Sequence, residues 1–144
     1  TFTPQRRLVV VDLQSREVVA EVPVPPALAA LDEARFRAWS AFALEPTRRF
    51  IALQTSDHLV IVVEVGTGLT YPAVRVEGGR IALSFGGLYL LAQREDRLAL
   101  FNTVSGRSLM SVASPGERCF GFGTDPHTIV RGRVDGGVER LFFS

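Results

Sequence analysis

The sequence predicts an all-β protein, and three observations lead to this prediction. Short apolar runs dominate the 144 residues, and Val18 to Val24 alternates apolar and polar side chains with the period of two that is typical of a strand. Glycine-containing steps separate the runs, and glycine supplies the positive φ that tight hairpin turns demand. The same order of runs and turns recurs along the chain, which indicates repeated antiparallel units.

Each apolar run that is bounded by turn residues is predicted to be one strand. The turns carry Gly66-Thr67-Gly68, Gly78-Gly79, Gly86-Gly87, Ser105-Gly106 and Gly136-Gly137. The predicted strands, in chain order, are Leu8 to Val11, Val18 to Val24, Ala41 to Leu44, Phe50 to Leu53, Leu59 to Val65, Leu69 to Val76, Ile81 to Phe85, Leu88 to Leu91, Leu98 to Phe101, Ser108 to Ala113, Cys119 to Gly123, His127 to Gly132 and Val138 to Phe143.

One segment departs from the strand pattern. Apolar residues recur at helical spacing between Leu28 and Phe36, and Pro25-Pro26 provides a helix start signal. We therefore expect a short helix or helical loop over Ala27 to Trp39, within an insertion at 25–40. The insertion either acts as a lid over one end of the sheets or presents Arg35, Phe36 and Trp39 to a binding partner.

The repeat has a measurable period. The segments 7–16, 58–68 and 97–107 each contain an apolar strand, a polar-leaning stretch and a tight turn, and a second strand follows. From Leu59 to Leu98 the step is 98 − 59 = 39 residues, and the same step from Leu98 ends near Val138. Leu8 to Leu59 is 59 − 8 = 51 residues, and the excess matches the insertion. Two further predicted strands precede each of Leu59, Leu98 and Val138. The repeating unit therefore has four strands.

This repeat resembles that of β-propeller proteins of the WD-repeat and YVTN-like kind. The resemblance covers nearly the whole chain except the insertion, and period and strand order carry it. The more specific WD-repeat motifs are absent. No Gly-His pair opens a unit. Asp12, Val63 and Asn102 occupy equivalent places, and only Asp12 is an aspartate. The resemblance implies a partial β-propeller of four-stranded antiparallel blades with a short helical insertion, and residues 1–144 as one propeller-like domain or propeller fragment.

The number of repeats has a consequence for assembly. About three blades make an open arc, whereas closed propellers have at least four blades, and an open arc leaves apolar sheet faces in water. The chain is then part of a longer propeller, or associates with another chain as a homo- or hetero-oligomer, or is a sheet stack of another kind. We favour completion by further blades or a second chain.

Composition excludes several classes of protein. The chain is 47% hydrophobic and 22% charged, so it can bury a sizeable core. The net charge of +1, from 16 basic and 15 acidic residues, argues against a nucleic-acid or membrane-surface partner. All basic residues are arginine, which indicates a GC-rich bacterial genome. Neither a signal peptide nor a transmembrane run is recognisable, so we expect a cytoplasmic protein.

No catalytic, metal or cofactor site is predicted. His58 and His127 precede or open strands at matching turns of different units, but two histidines are too few for a zinc site. Cys119 is expected to be a buried strand residue. The carboxylates Asp57, Asp96 and Asp125 precede strands and either meet a basic partner or cap their turns.

The sequence therefore predicts a non-catalytic protein-interaction scaffold. Its candidate partner-binding residues are Arg35, Phe36, Trp39, Asp57, Asp96 and Asp125. The alternative is a ligand-binding or enzymatic propeller with a site in the central channel, which would need ionisable groups on the innermost strands. The predicted innermost strands carry no His, Asp or Glu.

Overall fold

A computed structural model describes residues 7–23, 39–55, 58–77, 79–114 and 117–144. Within these ranges the chain forms thirteen strands and a 3₁₀ turn at Phe85–Gly87, arranged as four antiparallel sheets that we number I to IV in chain order. Sheet I contains β1 (Arg7–Val11) and β2 (Val18–Pro23); sheet II contains β3 (Trp39–Leu44), β4 (Phe50–Thr55), β5 (Leu59–Glu64) and β6 (Val74–Arg75); sheet III contains β7 (Arg80–Leu83), β8 (Tyr89–Arg94), β9 (Arg97–Asn102) and β10 (Ser108–Ala113); sheet IV contains β11 (Glu117–Phe122), β12 (Thr128–Arg133) and β13 (Val138–Phe142).

Strand order within the sheets follows chain order. In sheets II and III each strand pairs with the next one along the chain, and we name the four positions a, b, c and d. Sheet IV has positions a, b and c, and the two strands of sheet I correspond to c and d. This succession of a partial sheet, two complete sheets and a three-stranded sheet is the one that the sequence predicts.

Sheets II, III and IV pack face to face, and the two-residue period of the strands divides the core into layers. On β8, Leu90 and Ala92 face sheet II, whereas Leu91 packs towards sheet IV. Strand β7 contacts both β3 and β11, so the position-a strands of consecutive sheets lie next to one another. We call the side of a sheet that faces the next sheet in the chain its forward face.

Strand β6 is shorter than predicted. The apolar pattern indicated a strand over Leu69 to Val76, but only Val74–Arg75 pairs continuously with β5, and Thr70 forms an isolated bridge with Val63. Pro72 lies between the two pairings, and because proline has no N–H it interrupts the ladder.

Other boundaries differ by a few residues. Strand β3 begins at Trp39, so the end of the predicted insertion is strand, and 24–38, where the helix is expected, lies outside the described residues. Strand β7 ends at Leu83 because Gly86 and Gly87 adopt positive φ values of 73° and 69° and turn the chain. Strand β11 begins at Glu117, so the expectation that innermost strands lack carboxylates is wrong at this position.

Candidate partner-binding surfaces

The hairpin turns lie on two opposite rims of the sheets. Antiparallel strands reverse direction at each turn, so the a–b and c–d turns share one end of a sheet and the b–c turns occupy the other. We call these ends the upper rim and the lower rim. The backbone N–H of Gly86, in the a–b turn of sheet III, donates to Glu45 Oε1 in the a–b turn of sheet II (3.1 Å), so the upper rims of neighbouring sheets are in contact.

The three c–d turns repeat the same hydrogen bonds. Asp12, Glu64 and Asn102 occupy the equivalent first position, and each of their carbonyls accepts a backbone N–H from four residues further on at 2.8 Å. Glu64, rather than Val63, therefore corresponds to Asp12 and Asn102, which corrects the sequence alignment by one residue. Glycine provides the positive φ in the second and third turns, and Arg16 adopts a φ of 60° in the first.

Side chains at this first position stabilise the turns. Asp12 Oδ1 accepts the N–H groups of Gln14 (2.7 Å) and Ser15 (3.0 Å), and these bonds, with that from Ser15 the stronger cause, lower the pKa of Asp12. Asn102 Oδ1 accepts the N–H of Ser105 in the same way (2.9 Å). The upper rim is therefore built from turns that hold their own backbone rigidly.

Glu45 is a fully buried carboxylate on the upper rim. Burial by itself raises the pKa of Glu45, but hydrogen bonds from the Thr47 hydroxyl and from the N–H groups of Gly86, Thr47 and Arg49 outweigh burial and hold the pKa below its ordinary value. Because its acceptors are occupied by this turn and by sheet III, Glu45 joins two sheets and is not offered to a ligand.

Exposed apolar side chains are concentrated on the upper rim. Leu13 is 91% exposed and Leu69 is 68% exposed, both in c–d turns. The upper-rim residues with large exposed apolar side chains are Leu13, Leu44, Leu69, Phe85, Leu88 and Val104. An apolar surface on rigid turns is typical of a protein-binding site.

A cluster of three rings joins sheets III and IV at the same rim. Tyr89 meets His127 and Phe143 with ring centroids 5.6 and 5.2 Å apart, and His127 lies 5.4 Å from Phe143. His127 is exposed, so the cluster forms part of the surface as well as of the contact between the sheets.

The forward face of sheet IV is exposed and carries apolar side chains on either side of Arg140. The cross-strand pairs Phe50–Glu64, Tyr89–Asn102 and Thr128–Phe142 align the three position-c strands. In this alignment Val60, Leu98 and Val138 are equivalent. Val60 and Leu98 are 0% and 1% exposed, because the next sheet covers them, whereas Val138 is 74% exposed and Phe142 is 73% exposed.

Cys119 lies on this forward face and is exposed, so the prediction that it is buried is wrong. It is opposite Gly132, where a Cβ atom would come within 2.6 Å of the Cys119 sulfur. The residue has the sequence environment of a core position, but among the described residues no further sheet covers it.

The predicted partner-binding carboxylates do not share one rim. Asp96 is exposed in the b–c turn of sheet III on the lower rim, whereas Asp125 lies in the a–b turn of sheet IV on the upper rim. His58 likewise lies in a b–c turn on the lower rim, whereas His127 lies in an a–b turn on the upper rim. The prediction that their turns match is therefore wrong. The spacing of residues in the sequence does not distinguish a–b turns from b–c turns. Only the position of each strand within its sheet makes this distinction.

Asp125 acts within its own turn. Its carboxylate accepts the N–H of His127 (3.0 Å) and the hydroxyl of Thr128 (2.9 Å), and these bonds, the first being the larger cause, lower the pKa of Asp125. This arrangement fits the turn-capping alternative. Of the other candidates, Arg35, Phe36 and Asp57 lie outside the described residues, and Trp39 is the first residue of β3.

Sequence reasoning did not identify the upper-rim apolar residues or the forward face of sheet IV. Leu13, Leu69 and Val104 lie within or beside turn sequences, where apolar residues have no core to enter. Their place in the sequence could therefore have predicted that they are exposed. Val138 had no such signal, because the apolar pattern at its position equals that of its buried equivalents Val60 and Leu98.

Across the described ranges, no three His, Cys, Asp or Glu side chains gather into a group that could hold a metal ion. The same part of the chain contains no helix with the length and hydropathy needed to cross a membrane.

Comparison with known proteins assigns the fold. No family model and no curated protein matches the sequence. The β-propeller domain of Cps50 (Swd1) from Myceliophteria thermophila is similar in structure, with a TM-score of 0.63 and 12% identity, over 96% of this chain and 45% of that chain. Hsv2 from Kluyvelomyces marxianus matches with a TM-score of 0.57 and 9% identity, over 74% of this chain and 36% of that chain.

These likenesses confirm the predicted fold class. The chain is a partial β-propeller, in which sheets II and III are complete four-stranded antiparallel blades. It spans less than half the length of the solved structures that it matches. At these identities the likeness shows the fold alone.

Proposed function

We propose that this chain is a non-catalytic protein-interaction scaffold, completed by further blades or a partner chain in a larger assembly. The open forward face of sheet IV carries the proposal. Val138 is 74% exposed although its equivalents Val60 and Leu98 are buried by the next sheet, and Phe142 on the same face is 73% exposed. Such a face is stable when another protein surface covers it.

The upper rim is the surface to which we assign partner binding. Its apolar residues are held by repeated, hydrogen-bonded turns, so binding costs little conformational entropy. The predicted contributions of Arg35, Phe36, Trp39, Asp57 and Asp96 are a separate part of the scaffold proposal, and those of Phe36, Trp39 and Asp96 are tested separately. A bacterial, cytoplasmic setting and the exclusion of nucleic acid stay predictions from composition.

The first experiment tests completion of the arc. The mass of the purified chain is measured in solution together with the fluorescence of a dye that binds exposed apolar surface. We expect either self-association or strong dye binding, and the double variant Val138→Ser/Phe142→Ser should lower whichever is found. The control is Leu109→Ser/Val134→Ser, which removes similarly exposed apolar side chains elsewhere. A monomer that binds no dye contradicts the completion proposal.

The second experiment tests the upper rim. Proteins cross-linked to the chain in its native cells are identified by mass spectrometry, and capture of each is compared among variants. We expect Leu13→Ser/Val104→Ser to reduce capture of the same partner that Leu109→Ser/Val134→Ser still binds. Phe36→Ala/Trp39→Ala and Asp96→Asn test the remaining predicted contacts in the same assay. Equal capture by the rim variant and its control removes the upper rim from the proposal.

A further inference from the structure

Four turns of sheets II and III form the middle of the upper rim. We call them the central rim, and they comprise residues 44–49, 64–69, 84–88 and 102–107. Three hydrogen bonds from backbone N–H groups connect these turns. They join Gly86 to Glu45 Oε1, Val65 to the Arg49 carbonyl and Thr103 to the Leu88 carbonyl, at 3.1, 2.7 and 2.9 Å. The central rim is therefore one connected surface, and because it lies at the ends of the strands, stacking of further sheets onto the array would not cover it.

Large apolar side chains of the central rim stand in water. They are those of Leu44, Leu69, Phe85, Leu88 and Val104, and each of these residues is exposed. The hydrogen-bonded turns fix the backbone that carries them, so they form a prearranged apolar surface. Apolar surface leaves water when a partner brings apolar side chains of its own. The central rim therefore favours a partner with large apolar residues.

The arginines of the central rim are more available to a partner than its carboxylates. Glu45 is fully buried with its donors, and Glu64 pairs with Arg49 (3.2 Å). Arg48 and Arg107 are exposed, and neither forms an ion pair with any residue that the structure describes. The charges that the central rim offers to a partner are therefore positive.

Carboxylates border the central rim on both sides. Towards sheet I, Asp12 is near enough to Arg48 for their charges to interact. Towards sheet IV, Asp125 accepts the N–H of His127, whose ring contacts that of Tyr89 in sheet III (5.6 Å between centroids). A broad anionic surface, such as a membrane or a nucleic acid, would meet these carboxylates and be repelled. A single narrow segment that lies along the central rim avoids them.

We propose that the central rim binds a narrow, acidic segment of a partner protein, whose carboxylates meet Arg48 and Arg107 and whose apolar side chains cover those exposed on the rim. Guanidinium groups form strong, bidentate hydrogen bonds with carboxylates, so the two arginines select the charge of the segment. Residues 24–38 of this chain are less suitable, because they attach at the lower rim, through the end of β2 and the start of β3. This inference rests on the proposed binding role of the upper rim and adds the chemistry of the partner.

Selection from a library of random displayed peptides tests this chemistry without assuming a partner sequence. The target is the chain as its natural gene encodes it, so a central rim that another segment of the same chain already covers would select no peptide. Peptides that also bind the variant Phe85→Ser/Val104→Ser are removed, which leaves those that need the central rim. We expect these peptides to be enriched in Asp, Glu and large apolar residues relative to the library.

The affinity of a selected peptide then tests the two arginines. Its Kd is measured by fluorescence anisotropy for the wild type, for Arg48→Gln/Arg107→Gln and for the control Arg97→Gln/Arg133→Gln, which removes the same charge from the lower rim. We expect about ten-fold weaker binding by the central-rim variant and less than about two-fold by the control, and we expect the wild-type Kd to rise with salt. All four arginines are exposed, so both variants should unfold at nearly the wild-type temperature.

Several results overturn the proposal. They are a selection that yields no peptide dependent on the central rim, such peptides without enrichment in acidic residues, and equal affinities of the central-rim variant and its control. Sedimentation of the chain with phosphatidylserine vesicles that requires Arg48 and Arg107 would identify a membrane as the occupant instead. Self-association that requires the same two residues would identify a second copy.

The scaffold proposal is judged separately, by capture of partners in native cells. A partner whose capture depends on Leu13 and Val104 but not on Arg48 and Arg107 contradicts this inference and supports the scaffold. Selection of acidic peptides, when no native partner depends on the upper rim, contradicts the assignment of partner binding to the upper rim and supports the chemistry inferred for the central rim.

Discussion

Replacing Glu45 by glutamine tests whether its buried carboxylate joins sheets II and III. Its two oxygens accept donors from different directions, Gly86 N–H on Oε1 and Arg49 N–H on Oε2. Glutamine keeps one acceptor oxygen, so one of these backbone N–H groups faces an amide NH₂ instead. A buried donor left without an acceptor costs about 1–3 kcal/mol. We therefore expect Glu45→Gln to lower the free energy of unfolding at pH 7 by about 2 kcal/mol, and Tm by roughly 6 °C.

The difference between wild type and this variant should depend on pH. The pKa of Glu45 in the folded protein lies below its ordinary value of 4.5. The stabilisation by its charge is therefore complete above pH 4.5 and is lost as the pH falls towards the folded-state pKa. Urea unfolding followed by circular dichroism at pH 7 and at several lower pH values should show the two stability curves converging in acid.

Glu77→Gln is the matched control, because Glu77 is exposed and pairs only with the exposed Arg94 among the contacts that the structure describes. Loss of such a surface pair should change stability by less than about 0.5 kcal/mol. A Glu45→Gln variant as stable as the control at pH 7, or a deficit that is the same at every pH, would refute the role assigned to the carboxylate.

Three further substitutions test the turns by urea unfolding. Arg16→Gly should raise stability by about 0.5–1 kcal/mol, since glycine relieves a left-handed backbone at φ 60° at a smaller entropic cost, and a loss would contradict the turn geometry. Gly87→Ala should cost about 3 kcal/mol and Gly86→Ala about 1 kcal/mol, because both have positive φ but only the former places a Cβ 2.8 Å from the Phe50 ring; equal costs would show that the ring yields freely. Thr103→Val should cost about 1.5 kcal/mol through loss of the buried hydroxyl bond to the Gly87 carbonyl, and an unchanged midpoint would count against that bond.

Local pattern was sufficient to predict strands, hairpins and their grouping into sheets. Glycine at the c–d turns and the 39-residue step both follow from backbone geometry that must recur in every unit, so one chain contains several copies of the same signal. The alignment was off by one residue at Val63 because the apolar run of β5 continues the strand pattern up to Glu64. Pro72 shows the opposite case, in which one residue interrupts a run that looks continuous in hydropathy.

The candidate surfaces were less predictable, because exposure depends on what lies beside a strand in space. Leu98 and Val138 have the same sequence role, yet one is buried and the other is exposed. Asp125 and Asp96 look alike in sequence and lie on opposite rims, since their turns differ by one strand in the sheet order. Such distinctions arise only when strands are counted within a sheet and sheets within the array.

The contact of β7 with both β3 and β11 has a consequence for folding during synthesis. Sheets II and III are each made from one continuous stretch of chain, Trp39–Arg75 and Arg80–Ala113, and sheet III touches the sheets that precede and follow it in the chain. No strand has to wait for a distant part of the polypeptide, so the loop-closure entropy of assembly stays small. Sheets II and III can therefore form in order as they leave the ribosome, and duplication or loss of one forty-residue unit would leave the internal pairing of the others intact.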